Sequence, residues 1–202
     1  MGRTSDTREK LLEAAIELIS AQSYGSVSVD DICEKAGVKK GSFYHFFPSK
    51  EDLAAEAYEA YWRAEVQPWY EEVFDSRLSP PERIAAWCDD NYREQKESFE
   101  ATGHVPGCPF CSIGAEMGTQ SERLRLKSEE LLERGLFHIE RALRDGQRDG
   151  SLPGVTDPAA QARAITTFGF GAMLQAKVRN DPEVLRDLKR QVLAMLGATV
   201  SV

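Results

Sequence analysis

What the sequence lacks narrows its reading first. No run of about eighteen apolar residues occurs, so a membrane-spanning helix is excluded. The 4 cysteines among 202 residues are too few for a disulfide scaffold, and reduced thiols fit a cytosolic protein. There is no phosphate-cradling glycine loop, no HExxH helix and no GxSxG elbow. Asp89-Asp90 and Glu129-Glu130 read as solvated helix faces rather than paired catalytic carboxylates. Enzymatic chemistry therefore finds no support, and no cofactor is expected. No segment repeats at a fixed period, which sets aside a solenoid. The opening MGRTSDTREK is charged and leads into an amphipathic stretch, unlike a signal peptide, so a cytoplasmic location is expected.

Charge is short of one sign overall, but not everywhere. The net charge is -8. Residues 1–50 nevertheless hold seven Lys/Arg and seven Asp/Glu, so every excess negative lies beyond them. Within this stretch the positives gather at the amino end and around residues 39–50, leaving one locally basic face on an acidic protein. Such a body repels nucleic acid except where it docks.

The most informative stretch is SVDDICEKAGVKKGSFYHFF, residues 28–47. Ser28 suits a helix N-cap, with Asp31 three residues on at the positive end of the dipole. Ile32, Cys33 and Ala36 supply an apolar stripe, and Gly37 stands where a helix end wants a residue that tolerates positive φ. A second helix from about Lys39 to Phe47 carries the donors Lys39, Lys40, Ser42, Tyr44 and His45 between Phe43, Phe46 and Phe47. Two short helices about a glycine turn form a helix-turn-helix, whose second helix enters the DNA major groove. Gly41 near its start lets backbone approach bases or phosphates. Pro48 ends this helix and Ser49 caps the next. Lys50 then opposes the helix dipole, which a nearby phosphate would explain.

The pattern DICEKAGVKKGSFYHFFPSKEDL resembles the DNA-binding signature of the tetracycline-repressor (TetR) family over roughly residues 7 to 55. The linked positions are Ala-Gly-Val, a Lys-Gly-Ser helix start, an aromatic-Tyr-x-x-Phe run and a Ser-Lys-Glu-x-Leu cap. The resemblance implies a dimeric, ligand-responsive transcriptional regulator, usually a repressor. By matching positions, Lys40, Gly41, Ser42, Tyr44 and His45 would face DNA and Lys50 would hold a phosphate. Phe46 departs from the pattern, standing where many relatives carry histidine.

The fold expected is all-α. Residues 1–50 would form a three-helix DNA-binding domain with the helix-turn-helix, and residues 51–202 a larger helical domain for effector binding and dimerisation. The first helix, about 5–22, carries Leu11, Leu12, Ala15, Ile16 and Ile19 on one face. Arg3 and Arg8 lie where they could reach DNA, and the Ser28 hydroxyl could bond a phosphate as well as cap a helix. A long helix is expected from Ser49 to about Val66, before Pro68 disturbs it, and is expected to link the two parts mechanically. Further helices are expected from Pro80-Pro81, over 121–146, over 157–180 and over 182–196.

The last two helices are the expected dimer interface. One offers Phe168, Ala172 and Gln175; in the other Leu185, Leu188, Val192 and Met195 recur at 3, 4, 3 spacing. An apolar or aromatic effector would be walled by Trp62, Trp69, Trp87, Cys88, Tyr92, Phe110, Phe137, His138 and Phe168, together with Cys108 and Cys111. Cys108 and Cys111 flank a helix start, where a thiol pKa is lowered, so they read as structural thiols or as an oxidant or electrophile sensor. A metal set of Cys88, His104, Cys108 and Cys111 has no standard zinc spacing, and no metal is expected. Two other readings stay open: a thiol-based regulator, and a helical module that applies the amino-terminal motif to a protein.

Overall fold

A computed structural model describes residues 2–75 and 77–198, with side chains from residue 6 onward. Every regular element among the described residues is helical. The chain divides into two units. One holds the described residues up to Gln67 together with Pro109–Leu131; the other holds Pro68–Cys108 and the described residues from Leu132 onward.

In the first unit, helix α1 (Gly2–Ala21) packs against α2 (Val29–Ala36) and α4 (Lys50–Tyr61), with α3 (Lys40–Phe46) between the last two in sequence. The expected apolar stripe is the reason: Leu11, Ala15, Ile32, Phe43, Phe47 and Leu53 are fully buried. The Ser28 hydroxyl accepts from the Asp31 N–H at 3.1 Å and donates to the Asp31 carboxylate at 2.7 Å. Gly37 closes α2 at φ 65. Ser49 caps α4 by accepting from the Asp52 N–H at 3.0 Å.

Pro68 does not end the helix begun at Ser49. A π-helical turn, Trp62–Val66, follows α4, and helix α5 (Gln67–Val73) continues through the proline. The Gln67 N–H reaches back to the Trp62 carbonyl, five residues away. This wider turn loosens the register at the point where proline brings a ring and no N–H donor.

Two later helices complete the first unit. Phe110, on α7 (Pro109–Met117), packs its ring 6.0 Å from Tyr58, 6.1 Å from Tyr61 and 5.8 Å from Trp62. The first turns of α8 (Glu122–Asp149) tie to α4, with Arg123 pairing Asp52 at 2.7 Å and Lys127 pairing Glu59 at 3.2 Å. Just ahead of α8, the Ser121 hydroxyl bonds the Glu51 carboxylate.

In the second unit, α6 (Pro80–Thr102) opens with proline at its first position and a Ser79–Glu82 capping box, and it buries Ile84, Trp87, Cys88, Asn91 and Gln95. The buried Arg83 guanidinium pairs with Asp145 at 2.9 Å and donates to the Leu78 carbonyl at 2.9 Å, so a costly charge is compensated. Helix α9 (Pro158–Arg179) ends at Asn180, which takes φ 50. The Asn180 amide grips the segment after α6: it donates to the Gly103 carbonyl and accepts from the Val105 N–H, both at 2.9 Å. The single helix expected over 182–196 is instead a 3-10 turn, Pro182–Leu185, and helix α10 (Leu188–Met195). Asp187, at ψ 4, breaks the run between them.

Candidate nucleic-acid interface

Helix α3 presents its donors over an aromatic base. Phe43 and Phe47 are fully buried, and Tyr44, edge-on to Phe43 with ring centres 5.0 Å apart, is 53% exposed. Lys39, Lys40, Gly41 and His45 are exposed as well, and Ser42 is half-buried. A Cβ at Gly41 would meet nothing within 4 Å, so the glycine leaves a bare stretch of backbone beside the donors. The Lys40 ammonium pairs with Asp30 on α2 at 2.8 Å, through side chains both more than half exposed. A phosphate can take over such a solvated pair at little cost.

Two expected contacts are differently disposed. Ser28 spends its hydroxyl within the α2 cap. Arg8 pairs with Glu56 and lies 5.5 Å from the Phe47 ring centre, so it braces α4 and α3 from behind. The Arg3 side chain falls outside the described residues.

Lys50, expected to hold a phosphate, turns inward. Its ammonium donates to the carbonyls of Tyr24 and Val27, each at 2.8 Å, and lies 4.0 Å from the Tyr24 ring centre. Burial lowers its pKa, and the charge of Glu116 works against that shift. These contacts compensate a cation at a helix N-terminus without any phosphate. The chain carried no local signal for them, because Tyr24 and Val27 precede Lys50 by more than twenty residues.

The residues expected to wall an effector site divide between the units. Trp62, Phe110 and Cys111 lie in the first, and Trp69, Trp87, Cys88, Tyr92, Cys108, Phe137, His138 and Phe168 in the second. Several are otherwise engaged. The Trp69 indole N–H donates to Asp90 at 3.1 Å, and the Tyr92 hydroxyl donates to Glu183 at 2.9 Å. Cys88 is buried, which pushes its thiol pKa well up. Phe137, 63% exposed, does not line an enclosed cavity of its own chain. Cys108 and Cys111 are half-buried, and none of the four cysteines forms a disulfide. Among the described residues no group of three or more His, Cys, Asp or Glu is placed to hold a metal ion.

The expected dimer faces also need correction. Leu185, Leu188 and Val192 are at most 2% exposed within their own chain, where the 3-10 turn and α10 pack on α6 and α9, so they have no surface left for a partner. Phe168, Gln175 and Met195 are exposed, and Ala172 is half-buried. On α9 the exposed apolar set also includes Leu174 (61%) and Val178 (78%), which the sequence reading missed. Ala164, Phe168, Gly171, Gln175 and Val178, all exposed, follow 4, 3, 4, 3 spacing, the signal that would have found Val178.

A profile described as "Bacterial regulatory proteins, tetR family" matches residues 11–57, and one described as "Tetracyclin repressor-like, C-terminal domain" matches residues 80–192. The chain is 31% identical over 182 residues to the transcriptional regulator AcuR of Cereibacter sphaeroides, covering 90% of this chain and 81% of that protein. It is 28% identical over 182 residues to the HTH-type transcriptional repressor NemR of Escherichia coli, covering 90% and 89%. The crystal structure of reduced E. coli NemR aligns with a TM-score of 0.78 over 94% of this chain and 96% of that one. The regulatory protein TetR from Rhodobacter sphaeroides, 30% identical, aligns with a TM-score of 0.80 over 93% and 97%.

Proposed function

Because the chain belongs to the tetR family of bacterial regulatory proteins, we propose that it is a ligand-responsive transcriptional regulator that binds a palindromic operator as a homodimer and represses until an effector releases it. The observation that carries this reading is the donor face of α3, exposed above the fully buried Phe43 and Phe47. Lys39, Lys40, Gly41, Ser42, Tyr44 and His45 form the DNA-reading face, and Lys50 fastens the loop that leads into α2. Residues 1–50 read DNA, and residues 51–202 bind the effector and dimerise. The protein works in the cytoplasm and catalyses no reaction.

One short recognition helix reads few bases, so a two-fold pair is needed to specify an operator. The α9 seam through Phe168, Gln175 and Val178, with Leu174 and with Phe137 on α8, is the surface that pairing covers. An apolar or aromatic effector releases DNA only by favouring a conformation with the wrong spacing of the two reading helices. Each tenfold loss of operator affinity requires about 1.4 kcal/mol of preference for that state.

A thiol-responsive form of this reading has its own support. Cys108 directly precedes α7 and Cys111 lies in its first turn, both half-buried, and a helix N-terminus favours the thiolate. A relative crystallised in a named reduced form belongs with the same idea.

Selection of genomic fragments with purified protein tests the main reading. Enrichment of a palindrome whose binding weakens steeply with salt is the expected outcome. No enrichment, with salt-insensitive binding to another macromolecule, would mean that the amino-terminal motif serves a protein partner. Loss of an oxidant response in Cys108→Ser or Cys111→Ser would assign sensing to the thiols.

A further inference from the structure

The loop between α1 and α2 is held from two sides by opposite charges. On one side the Glu116 carboxylate, on α7, accepts from the Tyr24 N–H at 3.0 Å and from the Gly25 N–H at 2.7 Å. On the other, the Lys50 ammonium, on α4, takes the carbonyls of Tyr24 and Val27. Ser28, the next residue along, caps α2, and α2 leads through Gly37 into α3.

We propose that Glu116 is a positioning residue for DNA recognition, fixing through the Tyr24 and Gly25 amides the loop from which α2 and α3 hang. The inference rests on the reading of α3 as the DNA-reading helix.

Three features support it. Loop N–H groups have no helix carbonyl to bond, and a carboxylate is a stronger acceptor for them than a neutral oxygen. Gly25 is matched to the contact, since a Cβ there would stand 3.1 Å from the Glu116 carboxylate. The support is also anchored: Phe110, on the same helix as Glu116, packs among Tyr58, Tyr61 and Trp62, and Arg123 and Ser121 beyond that helix bond Asp52 and Glu51 on α4. Base-edge hydrogen bonds tolerate only a few tenths of an ångström, so a loop that shifts under α2 misplaces donors on α3. Glu116 thus makes the pose of the reading helix depend on the pose of α7.

Amide hydrogen exchange and DNA binding, measured on the full chain, test this together. The variants are Glu116→Ala and Glu116→Gln, and the probe is the duplex that wild-type protein enriches from a random library. In Glu116→Ala the Tyr24 and Gly25 amides should exchange about tenfold faster while those of Leu11 and Ala15 in α1 keep their rates. Affinity for the duplex should fall about tenfold. Glu116→Gln keeps one acceptor oxygen and the same shape, so it should recover part of both effects. Because Gln preserves packing, a folding defect confined to Glu116→Ala leaves the Gln comparison decisive.

Unchanged exchange at Tyr24 and Gly25 in both variants would overturn the proposal, as would faster exchange with undiminished affinity. If wild-type protein enriches no duplex, the DNA reading has failed and the positioning role falls with it. The exchange data then still report whether the clamp exists.

Discussion

The Lys50 ammonium sits 4.0 Å from the centre of the Tyr24 ring while donating to the Tyr24 carbonyl at 2.8 Å. A residue at the start of α4 is thereby fastened to the loop that leads into α2. Replacing it removes a cation–π contact and leaves two carbonyls without their donor. Lys50→Ala should lower folding stability by about 1–3 kcal/mol. It should weaken operator and unrelated DNA alike, while the salt dependence of binding keeps its slope. A slope that falls by about one full ion would instead put Lys50 on a phosphate.

The donors on and just before α3 divide by chemistry. Lys39→Ala should weaken all duplexes similarly and reduce the salt slope by about one, as expected of a phosphate contact. His45→Ala and Ser42→Ala should change which bases are preferred and cost about 1–3 kcal/mol on the selected sequence, with little effect on random DNA. Binding isotherms on both duplexes at two salt concentrations separate the two behaviours. Equal losses on both duplexes for His45→Ala would remove that residue from base reading.

Val178 is 78% exposed at the end of the α9 seam. If that seam is covered by a second copy, Val178→Glu places two uncompensated carboxylates at the contact. Dimer affinity should then fall at least about a hundredfold. Sedimentation velocity across a concentration series reads this directly, and operator binding should fall with it. A variant that dimerises as wild type would show that another face carries the interface.

His138 supplies a pH dependence. Its ring stacks on Tyr70 with centres 5.0 Å apart. Burial, and then the Arg141 charge, lower its pKa, against an opposing effect of Glu71. The unfolded chain takes up this proton near about pH 6.5, whereas the folded chain does so only at lower pH. Between the two values the unfolded state binds more protons. The contribution to stability is therefore full above about pH 6.5 and is lost as pH falls toward the folded value. His138→Phe keeps an aromatic ring and removes the proton site. Its stability should decline less than that of wild type between about pH 7 and about pH 5. Parallel declines in urea midpoints would count against this assignment.

Local chemistry determined much of this protein at the level of sequence. Ser28 with Asp31, Gly37, Ser49, the Pro80 helix start and the donors on α3 are all legible because caps and turns are settled by residues three or four apart. Tertiary structure decided what covers each face. Periodicity marks Leu185, Leu188 and Val192 as apolar just as it marks Phe168 and Val178, but only packing assigns the first three to the chain's own core and leaves the other two exposed. The same limit applies to charge: its place at a helix start marks Lys50 as a phosphate ligand, and only the fold brings its ammonium to the Tyr24 and Val27 carbonyls. Glu116 had no visible role, because its partner amide lies 92 residues away. Non-local burial and bonding depend on which helices come together, and a pattern confined to one helix carries no record of its neighbour.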